Sequence, residues 1–363
     1  MKLRENIGKH YSTVIVGAGP AGSTLARRLS NETSDILLID ASTFRREKVC
    51  GGLLSPDAQD LLAEYGIALP SDILSSPQIF SVRTIDLSLK KTRNYRRNYI
   101  NVSRAGFDAF LLSLVPDSVD VISALCIRIK RISGGFSLLL KTRSGEKEVT
   151  CTTLVGADGA SSVVRKNLFP DKSITRYVAI QQSFRAKDVH PYYSCIFDSS
   201  TSPSCSWIFF KDGKLVFGGA FKNKEPRAAF EAQKKKLVRR GTVSEDVFAE
   251  ALDTQACTVL RPTLFGGICF GKDGAFLIGE AAGFISPSSL EGISYALASA
   301  EALYKALASS KNARRALYAY KRKSAKLRFK IALKCFKRPF MYIPLLRRMI
   351  LASGVGSIKT KEV

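Results

Sequence analysis

With 363 residues, 45% of them hydrophobic, the chain can bury a sizeable core spread over two or three interleaved lobes, which excludes intrinsic disorder. Its 56 lysines and arginines against 31 acidic residues leave a net charge of +25, a field that attracts phosphates, anionic lipid or nucleic acid and says nothing of the fold. Eight cysteines without a Cys-x-x-Cys pair and only two histidines, His10 and His190, exclude zinc and haem spacings and a histidine-based nucleophilic triad; no metal is expected, and a reducing compartment is the simplest reading.

Residues 13–16 read as a short buried strand, 20–29 as a helix opened by glycines and 36–40 as a second buried strand, a β-α-β unit. The polar stretch 1–10 ahead of it carries no secretory pattern, so the expected location is the cytoplasm. Residues 70–77 and the alternating stretch 79–89 depart into an antiparallel layer, and helical spacing returns at 104–114. Strand alternation covers 119–132, 136–142 and 148–155, with turns at Gly134-Gly135 and Ser144-Gly145, and a second strand-rich layer covers 178–186, 192–198 and 207–220. Helices dominate after Ser288. A membrane span needs roughly 20 consecutive apolar residues, and the best late stretch, 339–356, is cut by Arg347 and Arg348.

The turn after the first strand reads Gly17-x-Gly19-x-x-Gly22. The first glycine permits the tight turn, the second lets backbone approach a pyrophosphate and the third lets helix and strand pack closely, while the helix N-terminus favours the negative charge. Asp40 closes the second strand eighteen residues after Gly22, where a carboxylate would accept ribose hydroxyls. Nothing in this unit separates NAD from FAD, because both present ADP to the same turn.

Two later stretches bear on that choice: Gly156-Ala157-Asp158-Gly159-Ala160-Ser161-Ser162-Val163-Val164-Arg165 and Ala275-Phe276-Leu277-Ile278-Gly279-Glu280-Ala281-Ala282-Gly283. In this order and spacing the three motifs resemble the flavoproteins that include aromatic hydroxylases and geranylgeranyl reductases. Lys48-Val49-Cys50-Gly51-Gly52, the segment 207–211 and Gly218-Gly219 are similar to the geranylgeranyl-reductase branch, and the stretches 193–198 and 289–297 to its CbrA-type bacterial members. The resemblance implies an α/β fold: a FAD-binding, Rossmann-like domain of aromatic-hydroxylase type (residues 11–75, 99–175 and 256–308), interleaved with a smaller antiparallel β-sheet substrate domain (76–98 and 176–255) and followed by a basic helical segment (309–363).

Carried over residue by residue, Gly17, Gly19, Ala21, Gly22 and Asp40 hold the ADP half of FAD, and Gly51, Gly52, Arg104, Asp158, Gly159, Gly279, Gly283, Gly292 and Ile293 lie along the rest. Glu280 takes the ribityl hydroxyls with a carboxylate one methylene longer than the family's usual aspartate. Leu290 stands where a glycine is common. A helix from about Gly292 to Ala308 would aim its positive end at the charge of a reduced flavin, or simply pack through its small residues. Cys50 is the candidate catalytic side chain, either a proton donor beside the ring or a small buried hydrophobe. The other seven cysteines read as packing residues. Trp207 either walls a substrate cavity or belongs to the core.

The implied activity is an FAD-dependent oxidoreductase that reduces carbon-carbon double bonds of an isoprenoid or lipid by hydride transfer from flavin N5, with NADPH or ferredoxin as external donor. A monooxygenase acting on an aromatic or lipid substrate, and a non-enzymatic membrane-surface flavoprotein, stay open beside it. From Lys305 to Arg348 fifteen basic residues occur with no acidic one, and Ala325, Phe329, Ala332, Leu333, Phe336 and Phe340 recur at helical spacing. That tail reads as a helix packed on the body, an anchor on the anionic inner face of the membrane or, least favoured, a nucleic-acid patch.

Overall fold

The computed structural model describes residues 7–33, 35–41, 49–89, 91–186, 189–264 and 266–358, so Lys48 of the cysteine-containing motif lies outside the described residues. The chain divides into two compact units, residues 1–46, 105–175 and 260–333 in the first, 47–104, 176–259 and 334–363 in the second.

The first unit is built on an eight-stranded sheet. Its path runs Gly271–Lys272, Ala275–Leu277, Gly145–Gly156, His10–Val16, Ile36–Asp40, Asp120–Ser123. From Ala275–Leu277 onward the neighbours are parallel, with Val14 opposite Leu37 on one side and Leu154 on the other. Strands buried on both faces read as continuous apolar runs, which is why Val14-Ile15-Val16 and Ile36–Ile39 carry no alternation and are almost wholly buried. Gly145–Gly156 also pairs antiparallel with Gly135–Thr142, which pairs with Leu125–Ile132. The stretch expected as one run, 119–132, is two strands that meet at Ala124, because Asp120–Ser123 pairs parallel with Ile36–Asp40 and Leu125–Ile132 antiparallel with Gly135–Thr142. Helices Pro20–Leu29 and Ile293–Ala308 pack together in this unit.

The second unit carries a nine-stranded sheet: Asp253–Arg261, Thr175–Arg185, Lys214–Phe221, Ser206–Lys211, Tyr192–Phe197, Ile79–Asp86, Lys91–Asn101, Ser357–Ile358, with Leu53–Leu54 on Lys91–Asn101. Residues 207–220 form a hairpin whose turn, Asp212-Gly213, has positive φ at both positions, as the twist of a tight hairpin demands. Phe184, Phe217, Phe221, Phe230, Leu237 and Phe248 fill the core between this sheet and the helix Pro226–Arg239.

The division into units departs from the boundaries implied by the resemblance. Residues 47–75 fall in the second unit rather than the first, because Leu53 and Leu54 pair with Asn101 and Ile100. The basic segment is divided at Leu333 rather than standing alone, since Ser357–Ile358 adds a strand to Lys91–Asn101.

Candidate functional site

In the first unit three loops gather at the carboxyl ends of adjacent parallel strands, the place where open α/β sheets bind ligands. The helix Pro20–Leu29 starts at Gly19 with no side-chain cap and with Pro20, which has no N–H, in its first turn. Its N-terminus therefore keeps amide donors that no side chain of its own cap fills. Contact in the turn is backbone to backbone: a Cβ on Gly22 would lie 1.8 Å from the Gly17 carbonyl oxygen, and one on Gly17, whose φ is +104°, 2.6 Å from that of Ala157. Ala21 packs under Gly279, where a Cβ would approach it to 3.0 Å. Fingerprint turn, Asp-Gly loop and Gly-Glu loop thus touch one another.

The carboxylates in these loops already serve the backbone. Asp40 Oδ2 accepts the Ala18 N–H at 2.8 Å, bracing the turn. Asp158 Oδ2 accepts the N–H of Val163 at 2.6 Å, while its Oδ1 is buried without a hydrogen-bond partner. Burial drives the Asp158 carboxyl upward, against the Ser162 and backbone hydrogen bonds that hold it down. Gly159, with φ +71°, opens the one-turn helix after it. Glu280 Oε1 accepts the Leu260 N–H at 2.9 Å. Gly283 has φ +88°, and a Cβ there would strike the Gly267 carbonyl oxygen at 2.3 Å.

The expected late helix runs Ile293–Ala308 from an N-cap at Gly292. Glu291, which sequence reasoning passed over, accepts Ser294 N–H at 3.2 Å and Ser294 Oγ–H at 2.7 Å. A carboxylate therefore already sits on part of the positive helix end. Leu290, where a glycine was expected, has φ +56°, so the chain keeps the left-handed backbone without the residue that favours it. Arg165, quoted in the Asp-Gly motif without a role, is a buried rivet: its guanidinium donates to the carbonyls of Ala281 at 3.0 Å, Gly267 at 3.0 Å and Lys172 at 2.8 Å.

Cys50, Gly51, Gly52, Arg104 and Trp207 belong to the second unit. Gly52 has φ +66°, and a Cβ on it would lie 2.1 Å from the Val102 carbonyl oxygen and 2.6 Å from Lys211 Nζ. Lys211 closes the strand Ser206–Lys211 and donates to the carbonyls of Gly51, at 3.0 Å, and Val102. Burial pulls its ammonium down to about 8; Cys50 and Asp212 favour the charge, and Arg104 opposes it. The cluster thus joins a thiol and a cation that titrates near neutrality, and no residue spacing announced the cation. Arg104 opens the helix Arg104–Ser113. Trp207 is half-buried, donates its indole N–H to Gln181 Oε1 at 3.1 Å and covers Gly218, so it belongs to the sheet's own packing. In the same unit, between the helix Pro56–Glu64 and the strand end at Ile100, an open apolar groove of about 430 Å³ is lined by Leu62, Ala63, Ile67, Leu69, Leu74 and Ile100, with Gln59 and Gln78 the polar exceptions. The remaining cysteines form no disulfide, and burial pushes Cys126 and Cys151 up to about 12, in keeping with a packing role.

The chain is 44% identical over 354 residues to protein CbrA of Escherichia coli strain K12, spanning 96% of this chain and 98% of the relative, and equally to CbrA of Shigella sonnei. It belongs to the CbrA family. Residues 136–331 of this CbrA-family chain match the family described as FAD binding domain. A geranylgeranyl bacteriochlorophyll reductase-like protein of Thermoplasma acidophilum shares its fold with a TM-score of 0.76 at 19% identity, over 94% of this chain and 91% of that one. PqsL of Pseudomonas aeruginosa, described as a probable FAD-dependent monooxygenase, shares it with a TM-score of 0.71 at 16% identity, over 95% of this chain and 99% of that one.

FAD is the cofactor, and the chain belongs with the FAD-dependent oxidoreductases and monooxygenases. The first unit fits the ADP half. An uncapped helix N-terminus suits the pyrophosphate, and beyond that half the buried Asp158 Oδ1 lacks a donor that a hydroxyl of the cofactor would provide.

Proposed function

We propose that this CbrA-family chain reduces carbon-carbon double bonds of an isoprenoid or other lipid substrate, drawing electrons from an external donor such as NADPH or ferredoxin. The observation that carries this reading is the apolar groove lined from the helix Pro56–Glu64, which follows the Cys50-Gly51-Gly52 turn in sequence: a volume of about 430 Å³ walled by leucines, isoleucines and alanine suits a hydrocarbon chain.

Gly17, Gly19, Ala21, Gly22 and Asp40 are assigned to the ADP half of the cofactor; Asp158, Gly159, Gly279, Glu280, Gly283, Gly292, Ile293, Gly51, Gly52 and Arg104 are assigned to the remainder. FAD, when bound and reduced, supplies a hydride equivalent at N5. An alkene that takes a hydride on one carbon needs a proton on the other, and in our reading Cys50 Sγ–H or a water molecule beside it provides that proton. Lys211 acts through the turn: its ammonium holds the Gly51 and Val102 carbonyls, and its positive charge favours the thiolate left behind until water returns the proton. The backbone at 52 is too close to Val102 for any residue larger than glycine.

The test is anaerobic incubation of the chemically reduced protein with polyprenyl lipids, read by mass spectrometry beside an air-exposed parallel. The proposal expects a gain of two hydrogens without oxygen. Oxygen incorporated only in air would instead identify a monooxygenase, and unchanged lipid in both arms would remove the lipid from the reading.

A further inference from the structure

The helix Ala325–Tyr342 turns large apolar side chains to solvent: Phe329 is 65% exposed, Leu333 53%, Phe336 61% and Phe340 49%. At 3.6 residues per turn these four fall on one narrow stripe. Ile331, on the opposite side, is 2% exposed, so the helix is seated by its other face and the stripe is left uncovered. Exposed Lys326 and Lys337 border the stripe on one flank. The next helix, Pro344–Ser353, repeats the arrangement with Leu345 at 68% and Met349 at 63%, one turn apart, beside exposed Arg348.

Single exposed apolar residues are ordinary on any surface, but a run of them is not. Among the described residues, eleven of the nineteen large hydrophobic side chains that are exposed lie from Tyr318 onward. The same region holds the acid-free run of basic residues from Lys305 to Arg348. We propose that the stripe Phe329–Leu333–Phe336–Phe340 lies in the headgroup–acyl boundary of an anionic lipid leaflet, with Lys326, Lys337 and their basic neighbours on the headgroups. Aromatic and aliphatic side chains at one helical face match hydrocarbon, whereas a nucleic acid would use the lysines and stack bases on the rings but find no use for Leu333, Leu345 and Met349. A second copy on this face would set one acid-free basic run against another. Among the described residues no helix is long and apolar enough to cross a membrane, so the contact is peripheral. This inference does not rest on the reaction proposed above.

The experiment is co-sedimentation of the purified, FAD-loaded full chain with vesicles of phosphatidylcholine alone or enriched in phosphatidylglycerol, at rising salt. We expect sedimentation with the anionic vesicles, weakened by salt, and little with phosphatidylcholine. Phe329→Ser with Phe336→Ser should abolish it, and Lys326→Gln with Lys337→Gln should lower the affinity roughly fivefold per lysine. Flavin absorbance and elution volume unchanged from the wild type would show both double variants folded. No sedimentation, equal sedimentation on both lipids, or binding that both variants keep overturns the proposal. So does a variant that loses self-association or duplex-DNA binding while still sedimenting with vesicles.

Discussion

The fingerprint turn of the first unit and the Cys50-Gly51-Gly52 turn of the second are both glycine-built, yet different partners make their glycines necessary. In the fingerprint turn the obstacle to a side chain is backbone: the Gly17 carbonyl for Gly22, the Ala157 carbonyl for Gly17. At Gly52 it is one carbonyl and one charged side chain, Lys211, brought from a strand more than a hundred residues away. The first turn is therefore rigid by covalent geometry and close packing. The second is held by an ion whose charge depends on pH.

The largest effect should come from breaking the first turn. Gly22→Val places a Cβ where the Gly17 carbonyl oxygen sits, and no rotamer relieves a clash at Cβ, so the loss of stability should reach about 3 kcal/mol or more. Urea midpoint and flavin absorbance of the purified variant measure it; a protein that retains FAD with an unchanged midpoint would show that the turn tolerates what its geometry forbids.

Next in size is the pH dependence of the second turn. Lys211 in the folded chain titrates at about 8, below the ordinary lysine value of 10.5. Between those values the unfolded chain still binds the proton that the folded chain has released, so this residue's contribution to stability rises with pH across the window from about 8 to 10.5. Relative to Lys211→Met, the wild type should gain about 2 kcal/mol over that window, after discounting the full shift for partial solvation. Parallel urea titrations at pH 7 and pH 10 give the difference, and a gap that stays constant would mean that the buried ammonium is not under strain.

The smallest effect sharpens the comparison from the glycine side. Leu290 holds φ +56° without being a glycine, a conformation that costs an L-residue with a Cβ about 1–2 kcal/mol. Leu290→Gly recovers that and loses part of it to the freer unfolded chain. We expect a net gain of about 0.5–1 kcal/mol in thermal or urea unfolding.

The fold was legible where the local pattern and the tertiary structure ask for the same thing. The first β-α-β unit was read at 20–29 and 36–40 with the boundaries observed, because fully buried parallel strands leave apolar runs and glycines mark the turn between them. The strand Lys91–Asn101 escaped. Lys-Thr-Arg-Asn-Tyr-Arg-Arg-Asn-Tyr is polar at almost every position and half-exposed on both faces, so no period of two survives in it, although it pairs along its length with Ile79–Asp86. The helix Pro226–Arg239 escaped for a similar reason, its basic residues masking the few core positions, Phe230, Gln233 and Leu237.

At the site the division is sharper. By itself the sequence determined which backbone would carry the cofactor: glycine spacing, a carboxylate at the end of the second strand and two later loops of set composition belong to short stretches of chain, and local covalent geometry makes them readable. Only the tertiary structure decided what the side chains do. Asp40 braces Ala18, Glu291 occupies part of a helix end, Arg165 ties three carbonyls and Lys211 sits on the Cys50 turn. Each of these depends on burial and on partners brought together by folding, several of them distant in sequence, and a charge leaves no periodic trace of the carbonyl it will meet.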